Sequence, residues 1–365
     1  MNTDFIEALS EIEREKGISK ELLIDAIEAA MISSYKRNFN TAQNVRVDIN
    51  RHTGLIKVFA RKTVTEEVLD PRLEISLHAS REINPNYQLE DIVEIEVTPR
   101  DFGRIAAQTA KQVVTQRIRE AERGLIYNAF IDKEEDIVTG ILQRQDQRNI
   151  YVDLGKVEAV LPLTELMPTD KFKQGDRIKA YITKVENTTK GPQIILSRTH
   201  PGLLKRLFEL EVPEIFDGVV EIRSVAREAG FRSKIAVHSR NAEVDPVGSC
   251  VGPKGLRVQT IVSELRGEKI DIVRWMESVE EYVANALSPS KVLEVQIHEN
   301  EKMARVIVPD YQLSLAIGIK GQNARLAAKL TGWKIDIKSE TQAEQEFGRV
   351  KTYSEEMHQD SVSVD

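Results

Sequence analysis

The sequence predicts a multidomain α+β protein with an α/β head, a five-stranded β-barrel and a duplicated α/β unit, in that order. With 365 residues, of which 41% are hydrophobic, the chain is too long for one hydrophobic core. Its middle part has short β-rich runs separated by turn signals, and its second half contains one motif twice. These three observations set the domain organisation that follows.

The head, residues 1–125, has the patterns of two helices, three strands and one long helix. Apolar residues at helical spacing predict a helical pair before Met31, and alternating apolar residues predict strands at 45–50, 55–64 and 92–97. A long helix is predicted from about Gly103. Its predicted buried stripe consists of Ala106, Ala110, Val113, Val114, Ile118, Ala121 and Leu125.

The opposite face of this long helix is polar and basic. No acidic residue occurs between Asp101 and Glu120. A charged stripe is usually a solvated face, but the absence of acids favours a surface that docks on a partner. The residues of this face are Arg104, Gln108, Lys111, Thr115 and Arg119.

Residues 133–199 have the pattern of a small OB barrel. Five runs, at 137–144, 149–154, 157–161, 177–185 and 193–197, predict five short strands. The words Val152-Asp153-Leu154-Gly155, Gly175-Asp176-Arg177-Ile178 and Leu196-Ser197-Arg198 resemble the S1 family of RNA-binding barrels.

One aromatic side chain of this barrel is a candidate RNA contact. Tyr151 is predicted either to stack on a base or to be a half-buried strand residue. Arg144, Arg148 and Lys184 are candidate phosphate contacts. The segment is poor in aromatic residues, so we expect weak RNA binding by the barrel.

The duplicated motif is a GxxG loop, formed by Gly252-Pro253-Lys254-Gly255 and again by Gly318-Ile319-Lys320-Gly321. A Lys-Ile-Asp-Ile word follows each loop at nearly the same distance, starting at Lys269 and at Lys334. Each copy, at 200–275 and 276–345, has the pattern of a helix, two strands, a helix, the loop, a helix and a strand. This is the type II order of the KH fold, whose GxxG loop clamps about four nucleotides.

Charge is placed around these loops. The chain is acidic overall, with 51 Lys and Arg against 58 Asp and Glu. Nevertheless, no acid lies between Asp245 and Glu264 or between Asp310 and Asp336, and these two windows contain the loops. The alternative is a glycine-rich turn without a ligand, but the repetition favours RNA binding. The basic candidates are Lys254, Arg257, Lys320, Arg325 and Lys329.

Several function classes lack their residues. The single cysteine, Cys250, is expected to be a small buried residue, and the six histidines are scattered without metal-ligand spacing. Because the GxxxxGK[ST] phosphate loop and a cluster of catalytic carboxylates are missing, we expect no enzyme activity, no metal and no cofactor. The start of the chain is charged and no segment is long and apolar, so we expect a cytoplasmic protein that does not contact membranes.

The domain order and several short words resemble the NusA family of bacterial transcription factors. These words include Ala159-Val160-Leu161-Pro162, His200-Pro201-Gly202-Leu203 and the run from Asp245 to Gly252. The resemblance implies a monomer that docks on RNA polymerase through the head and holds nascent single-stranded RNA and hairpins. It implies modulation of pausing, intrinsic termination and antitermination, together with other antitermination factors. On the matching positions, Arg104 and Lys111 would face the nascent hairpin.

The resemblance has one departure and two rivals. The polar stretch from Thr341 to Asp365 is predicted to be disordered, with residues 346–365 as an acidic tail, as in a short form that ends after the second KH domain. The first rival is a translation or ribosome-assembly factor with the same RNA-binding modules. The second is a nuclease or phosphorolytic enzyme, for which no segment supplies a catalytic core.

Overall fold

The computed structural model describes residues 3–39 and 44–347. These residues form two compact units that divide between Asn128 and Ala129. Within the described ranges, no helix is both long and apolar enough to cross a membrane.

The head packs helices on one face of a four-stranded sheet. Strand β2 pairs antiparallel with β1 and β4 and parallel with β3. The buried core joins α1, α2 and β1 with the first turns of α4, where Phe102 is 1% exposed. The elements are α1 (Thr3–Lys16), α2 (Lys20–Asn38), β1 (Val45–Ile49), β2 (Ile56–Thr65), β3 (Glu74–Ser76), α3 (Leu77–Ile83), β4 (Ile92–Glu96) and α4 (Phe102–Ile131).

Three details of the head differ from the sequence prediction. β3 and α3 were not predicted, because a strand of three residues and a helix of seven are too short to show a period. The strand that was predicted at 92–97 as the third of the head is therefore its fourth strand, β4. Leu125 was predicted to be buried but is 64% exposed, whereas Ala106 and Ala110 are buried as expected.

The middle segment is a closed five-stranded barrel with strand order β5-β6-β7-β9-β8. All five predicted strands are confirmed, and β8 is three residues longer than predicted. The strands are β5 (Ile137–Gln145), β6 (Asn149–Asp153), β7 (Glu158–Pro162), β8 (Arg177–Thr188) and β9 (Gly191–Ser197).

The two copies that follow repeat one topology. In each, the first strand pairs antiparallel with the second, and the second pairs parallel with the third. The first copy contains α5 (Pro201–Glu211), α6 (Pro213–Phe216), β10 (Val220–Glu228), β11 (Arg232–Ser239), α7 (Pro246–Val251), α8 (Leu256–Glu264) and β12 (Lys269–Arg274). The second contains α9 (Val279–Ala286), β13 (Glu294–His298), β14 (Met303–Val308), α10 (Leu313–Ile317), α11 (Gln322–Thr331), β15 (Lys334–Ser339) and α12 (Glu340–Phe347). The predicted order is confirmed, and α6 is the one helix of the first copy that was not predicted.

The barrel and the two copies are joined by shared cores and buried ion pairs. Met167 and Tyr181 of the barrel pack in the core of the first copy. Arg198, 1% exposed, binds Asp170 at 2.8 Å and donates to the carbonyl of Glu264 at the end of α8. Removing one partner of such a buried pair typically costs about 3–5 kcal/mol, so Asp170 holds Arg198 firmly in the position from which it contacts α8.

The segment after the second copy is partly ordered. The polar stretch from Thr341 was predicted to be disordered, but α12 continues to Phe347 and Ala343 is fully buried. A local apolar contact thus outweighs the polar composition. Most of the predicted tail, from residue 348 to 365, lies outside the described residues.

Candidate nucleic-acid interface

The two GxxG loops have nearly the same backbone. The first glycine has φ 72° at Gly252 and 76° at Gly318, with ψ 175° and 171°. The lysine has φ 53° in both loops, and the last glycine has φ 75° and 73°. Non-glycine residues rarely adopt positive φ, so Lys254 and Lys320 are held in this conformation by the loops around them.

The first glycine of each loop is required for space as well as for φ. A Cβ on Gly252 would lie 2.6 Å from Cγ of Arg257, and one on Gly318 would lie 2.8 Å from both Cβ and the backbone nitrogen of Asn323. Each loop therefore closes tightly onto the start of the helix that follows it. Backbone N–H groups at such a helix start suit a phosphate.

The side chains at the tips of the loops are exposed. Pro253 and Lys254 project from the first loop, and Ile319, 85% exposed, and Lys320 from the second. Among the described residues, neither lysine has an ion-pair partner. Both ammonium groups are thus available to an anionic ligand.

The two arginines of the acid-free windows form ion pairs with carboxylates from elsewhere in the chain. Arg257 binds Glu214 of α6 at 2.9 Å. Arg325 binds Glu228, at the end of β10 in the first copy, at 3.1 Å. Absence of acids in the sequence window therefore did not predict absence of acids in space, and the two carboxylates were missed because they are distant in sequence.

The Glu228 carboxylate is a shared acceptor between the two copies. Gln322 at the start of α11 donates to it at 2.7 Å, and Arg325 donates to it through two nitrogens and to the carbonyl of Lys320 through a third. Burial raises the pKa of Glu228, but the hydrogen bonds from Gln322 and Arg325 outweigh burial and leave the pKa below its usual value. The second loop is thereby tied to the first copy.

The barrel candidate Tyr151 is already covered. The Arg144 guanidinium lies 3.5 Å from the ring centroid, and Arg144 binds Glu158. The Tyr151 hydroxyl donates to Asp146 at 2.9 Å. Lys184 pairs with Glu186 within the same strand. A base that stacks on Tyr151 from this side must displace Arg144, which agrees with the expectation of weak binding.

The basic face of α4 is exposed throughout. The side chains of Arg104, Gln108, Lys111, Thr115 and Arg119 are all solvent-exposed. Arg104 and Lys111 are seven positions apart, which places them about 10 Å apart along the axis at 1.5 Å per residue. Within the described part of the head, neither has an ion-pair partner.

Cys250 is confirmed as a buried residue. Its side chain is fully buried, and burial raises the pKa of the thiol to about 12. Ala316, at the matching position of the second copy, is also fully buried.

Models of known families match consecutive segments of this chain. They are the NusA N-terminal domain at residues 4–124, the S1 RNA binding domain at 131–198, and the NusA-like first and second KH domains at 198–275 and 279–345. The chain belongs to the NusA family. The predicted resemblance and the predicted fold class are confirmed: the chain is a transcription factor of the NusA family, and its S1 and KH domains are RNA-binding domains.

Curated relatives match this chain over nearly its whole length. The transcription termination/antitermination protein NusA of Halalkalibacterium halodurans is 75% identical over 348 residues, covering 95% of this chain and 91% of that protein. The protein of the same name from Bacillus subtilis is 69% identical over 360 residues, covering 99% and 96%. That of Thermus thermophilus is 42% identical over 346 residues, covering 92% and 89%.

Proposed function

We propose that this NusA-family protein docks on RNA polymerase through its head and holds the emerging transcript on its S1 and KH domains. In this way it modulates pausing, intrinsic termination and antitermination. The observation that carries the RNA part is the duplicated GxxG loop, which has nearly the same backbone angles in both copies and, in each, an exposed lysine with no ion-pair partner in the described part of the chain.

The geometry supports backbone binding by these loops. Their glycines let a ligand approach the main chain, and the helix that follows each loop contributes N–H groups and the positive end of its dipole. Neither feature depends on base identity. The protein residues that contact RNA here are Gly252, Pro253, Lys254 and Gly255 of the first loop and Gly318, Ile319, Lys320 and Gly321 of the second.

The cations beside the loops have a second role. Arg257, Arg325 and Lys329 surround the clamps, and the two arginines reach phosphate only by exchanging Glu214 or Glu228 for it. Tyr151 contributes a weak stacking contact after Arg144 moves away.

The protein acts as a cytoplasmic monomer without catalytic activity of its own, and other antitermination factors join it on the polymerase.

In the head, we assign the basic face of α4 to the nascent hairpin. A-form RNA hairpins present closely spaced phosphates, and Arg104 and Lys111 form a pair of exposed charges on one helix face. Polymerase docking uses other parts of the head, so these two residues act after docking.

A pausing assay on the full chain tests this assignment. Arg104→Glu with Lys111→Glu should shorten the lifetime of a hairpin-dependent pause by at least about threefold, while a pull-down recovers RNA polymerase as the unaltered chain does. The matched control is Arg14→Glu with Lys36→Glu, two exposed cations on other helices of the head. Failure of the unaltered chain to bind polymerase would contradict the docking proposal, and equal pause lifetimes in all three proteins would contradict the role of the α4 face.

A further inference from the structure

A small cavity lies where the second GxxG loop meets the first KH domain. It has a volume of about 210 Å³. Its lining includes Arg232 of the first domain and, from the second domain, Pro289, Gly318, Ile319, Gln322 and Asn323. Sites for whole small molecules usually measure about 300–1,000 Å³. This cavity is smaller, and it suits a single planar group.

The wall from the first domain is held in place by buried charges. Arg232 donates from Nε and Nη2 to the two carboxylate oxygens of Asp271, each at 2.8 Å. Lys234, which is fully buried, donates to the same carboxylate at 3.0 Å and to the carbonyl of Ser288 at 2.7 Å. Because Ser288 precedes Pro289, one lysine connects both sides of the cavity.

This arrangement leaves one donor unused. The Nη1 of Arg232 has no hydrogen-bond partner among the residues that the structure describes. Burial alone would raise the pKa of Asp271, but hydrogen bonds and charge from Arg232 and Lys234 outweigh burial and lower it. The carboxylate thus stays ionised and keeps the guanidinium in one orientation.

The wall from the second domain has an unused acceptor. Asn323 is 5% exposed, and its Nδ2 donates to the carbonyls of Leu287 and Ala316, both at 3.0 Å. Carbonyl oxygens only accept, so the orientation of the amide is fixed. Its Oδ1 is buried and has no hydrogen-bond partner among the residues that the structure describes, and leaving a buried acceptor unsatisfied is destabilising. Such an atom calls for an explanation, and a role in binding the donor group of a ligand is one.

The two walls are also fixed to each other. Gln322, which lines the cavity, donates to Glu228 at the end of β10. Arg325 binds the same carboxylate and the Lys320 carbonyl of the loop. The cavity is therefore preformed and lies directly beside the proposed phosphate clamp.

We propose that this cavity is a nucleobase subsite, which takes the base of the nucleotide that links the RNA held by the two GxxG loops. The proposal rests on the proposed RNA binding by these loops. RNA-binding proteins read splayed bases through hydrogen bonds to their edges, and the Watson–Crick edge of each of the four bases places a donor beside an acceptor. Arg232 Nη1 supplies the donor and Asn323 Oδ1 the acceptor, while Pro289 and Ile319 offer apolar contact to the ring face. The subsite gives sequence preference to two clamps that otherwise contact backbone.

An abasic scan of the RNA tests the subsite. An A-rich strand is first shortened until its affinity for the full-length protein begins to fall, which fixes its register on the two loops. Each nucleotide of that strand is then replaced by an abasic one, and the affinity is measured by fluorescence anisotropy. The unaltered protein should lose about tenfold in affinity at one internal position that lies between the two clamped segments.

Two variants of the cavity should abolish the loss at that position alone. Arg232→Lys keeps the charge beside Asp271 but removes the free Nη1, and Ser314→Leu fills the cavity from α10, where the Ser314 side chain is exposed. In both, the penalty at this position should fall below about threefold, with the other positions unchanged. The matched control is Arg240→Lys, an exposed arginine of the first domain that pairs with Glu221.

The outcomes separate the two levels of the proposal. If the variants and the unaltered protein show the same abasic profile, the subsite is wrong and RNA binding by the loops stands. If the unaltered protein does not bind the strand at all, RNA binding by the loops is wrong and the subsite is wrong with it.

Discussion

The two GxxG loops share a backbone but not an electrostatic environment. The φ values of the two glycines and the lysine differ by no more than about 4° between the loops. At the helical positions that follow, however, the first copy has the neutral Gln259 and Ser263 where the second has Arg325 and Lys329. Loop geometry is thus duplicated more strictly than charge. This is expected if each copy needs the glycine-dependent backbone, whereas the cations that bind RNA can be distributed unequally between the two copies.

A second difference lies at the fifth residue after the first glycine. Arg257 in the first copy donates to the carbonyl of Ser249 at 2.6 Å, and Asn323 in the second donates to the carbonyl of Ala316 at 3.0 Å. Both side chains satisfy a carbonyl near the end of the preceding helix. Different residues therefore close the same turn, and this shared structural role places Arg257 in the loop's architecture as well as in its charge.

The largest expected effect comes from reversing the charge of the loop tips. Aspartate at Pro253 and Lys254, or at Ile319 and Lys320, places carboxylates against phosphate and leaves all four glycines intact. We expect a loss of RNA affinity of about tenfold in the first loop, or about 1.4 kcal/mol. The loss should be greater in the second loop, where more cations lie nearby, and about a hundredfold or more for both together.

Titration of a labelled A-rich single strand measures these losses. Serine at the same positions is the matched control, and it should lose less than aspartate because it adds no negative charge. Thermal unfolding should be unchanged, since the altered side chains are exposed. Unchanged affinity in the protein with both loops altered would contradict the clamp assignment.

Alanine at the first glycine of each loop tests the shared backbone through stability. The φ and ψ of Gly318 lie in a region that is essentially restricted to glycine, and its new Cβ would meet backbone of Asn323. We expect Gly318→Ala to lower the free energy of unfolding by about 3 kcal/mol. Gly252→Ala should have a comparable cost, because its new Cβ would meet Cβ, Cγ and Cδ of Arg257, whose guanidinium is held by Glu214 and by the Ser249 carbonyl.

The last glycine of the second loop is the control for this series. A Cβ on Gly321 would find only an Arg325 nitrogen at 3.6 Å, so Gly321→Ala meets only the left-handed strain of about 1–2 kcal/mol. Chemical denaturation of the three variants gives the order. Equal destabilisation by Gly318→Ala and Gly321→Ala would show that the close packing at Gly318 does not constrain the loop.

These contrasts show which parts of the site the sequence predicted. The loops, their helices and the barrel strands were predicted because glycine and apolar period are local signals. Glu214 and Glu228 were not, since their approach to Arg257 and Arg325 depends on how distant elements pack. The same holds for the cavity at Arg232, whose two walls come from different domains. The prediction that Leu125 is buried was wrong for a related reason. Apolar residues continue at helical spacing along α4 beyond the turns that pack on the core of the head.

The smallest expected effect concerns the two carboxylates that neutralise the clamp arginines. Glu228→Gln keeps an acceptor for Gln322 and Arg325 but removes the charge with which RNA phosphate competes for Arg325. The lowered pKa of Glu228 means that this carboxylate is ionised at neutral pH, so the substitution removes a full negative charge there. We expect RNA affinity to rise about threefold, or about 0.6 kcal/mol. The salt dependence should steepen by about 0.7 in the log–log slope, the value for one more neutralised phosphate of a single strand.

Glu214→Gln is the comparison that sharpens this result. The Arg257 side chain is 26% exposed, whereas that of Arg325 is 53% exposed, so Arg257 remains less accessible to phosphate after Glu214 has lost its charge. Its gain in affinity and in slope should therefore be smaller than that of Glu228→Gln. If Glu228→Gln instead weakens RNA binding without changing the slope, the carboxylate positions the second loop and does not compete with RNA, and the difference between the two clamps is one of geometry alone.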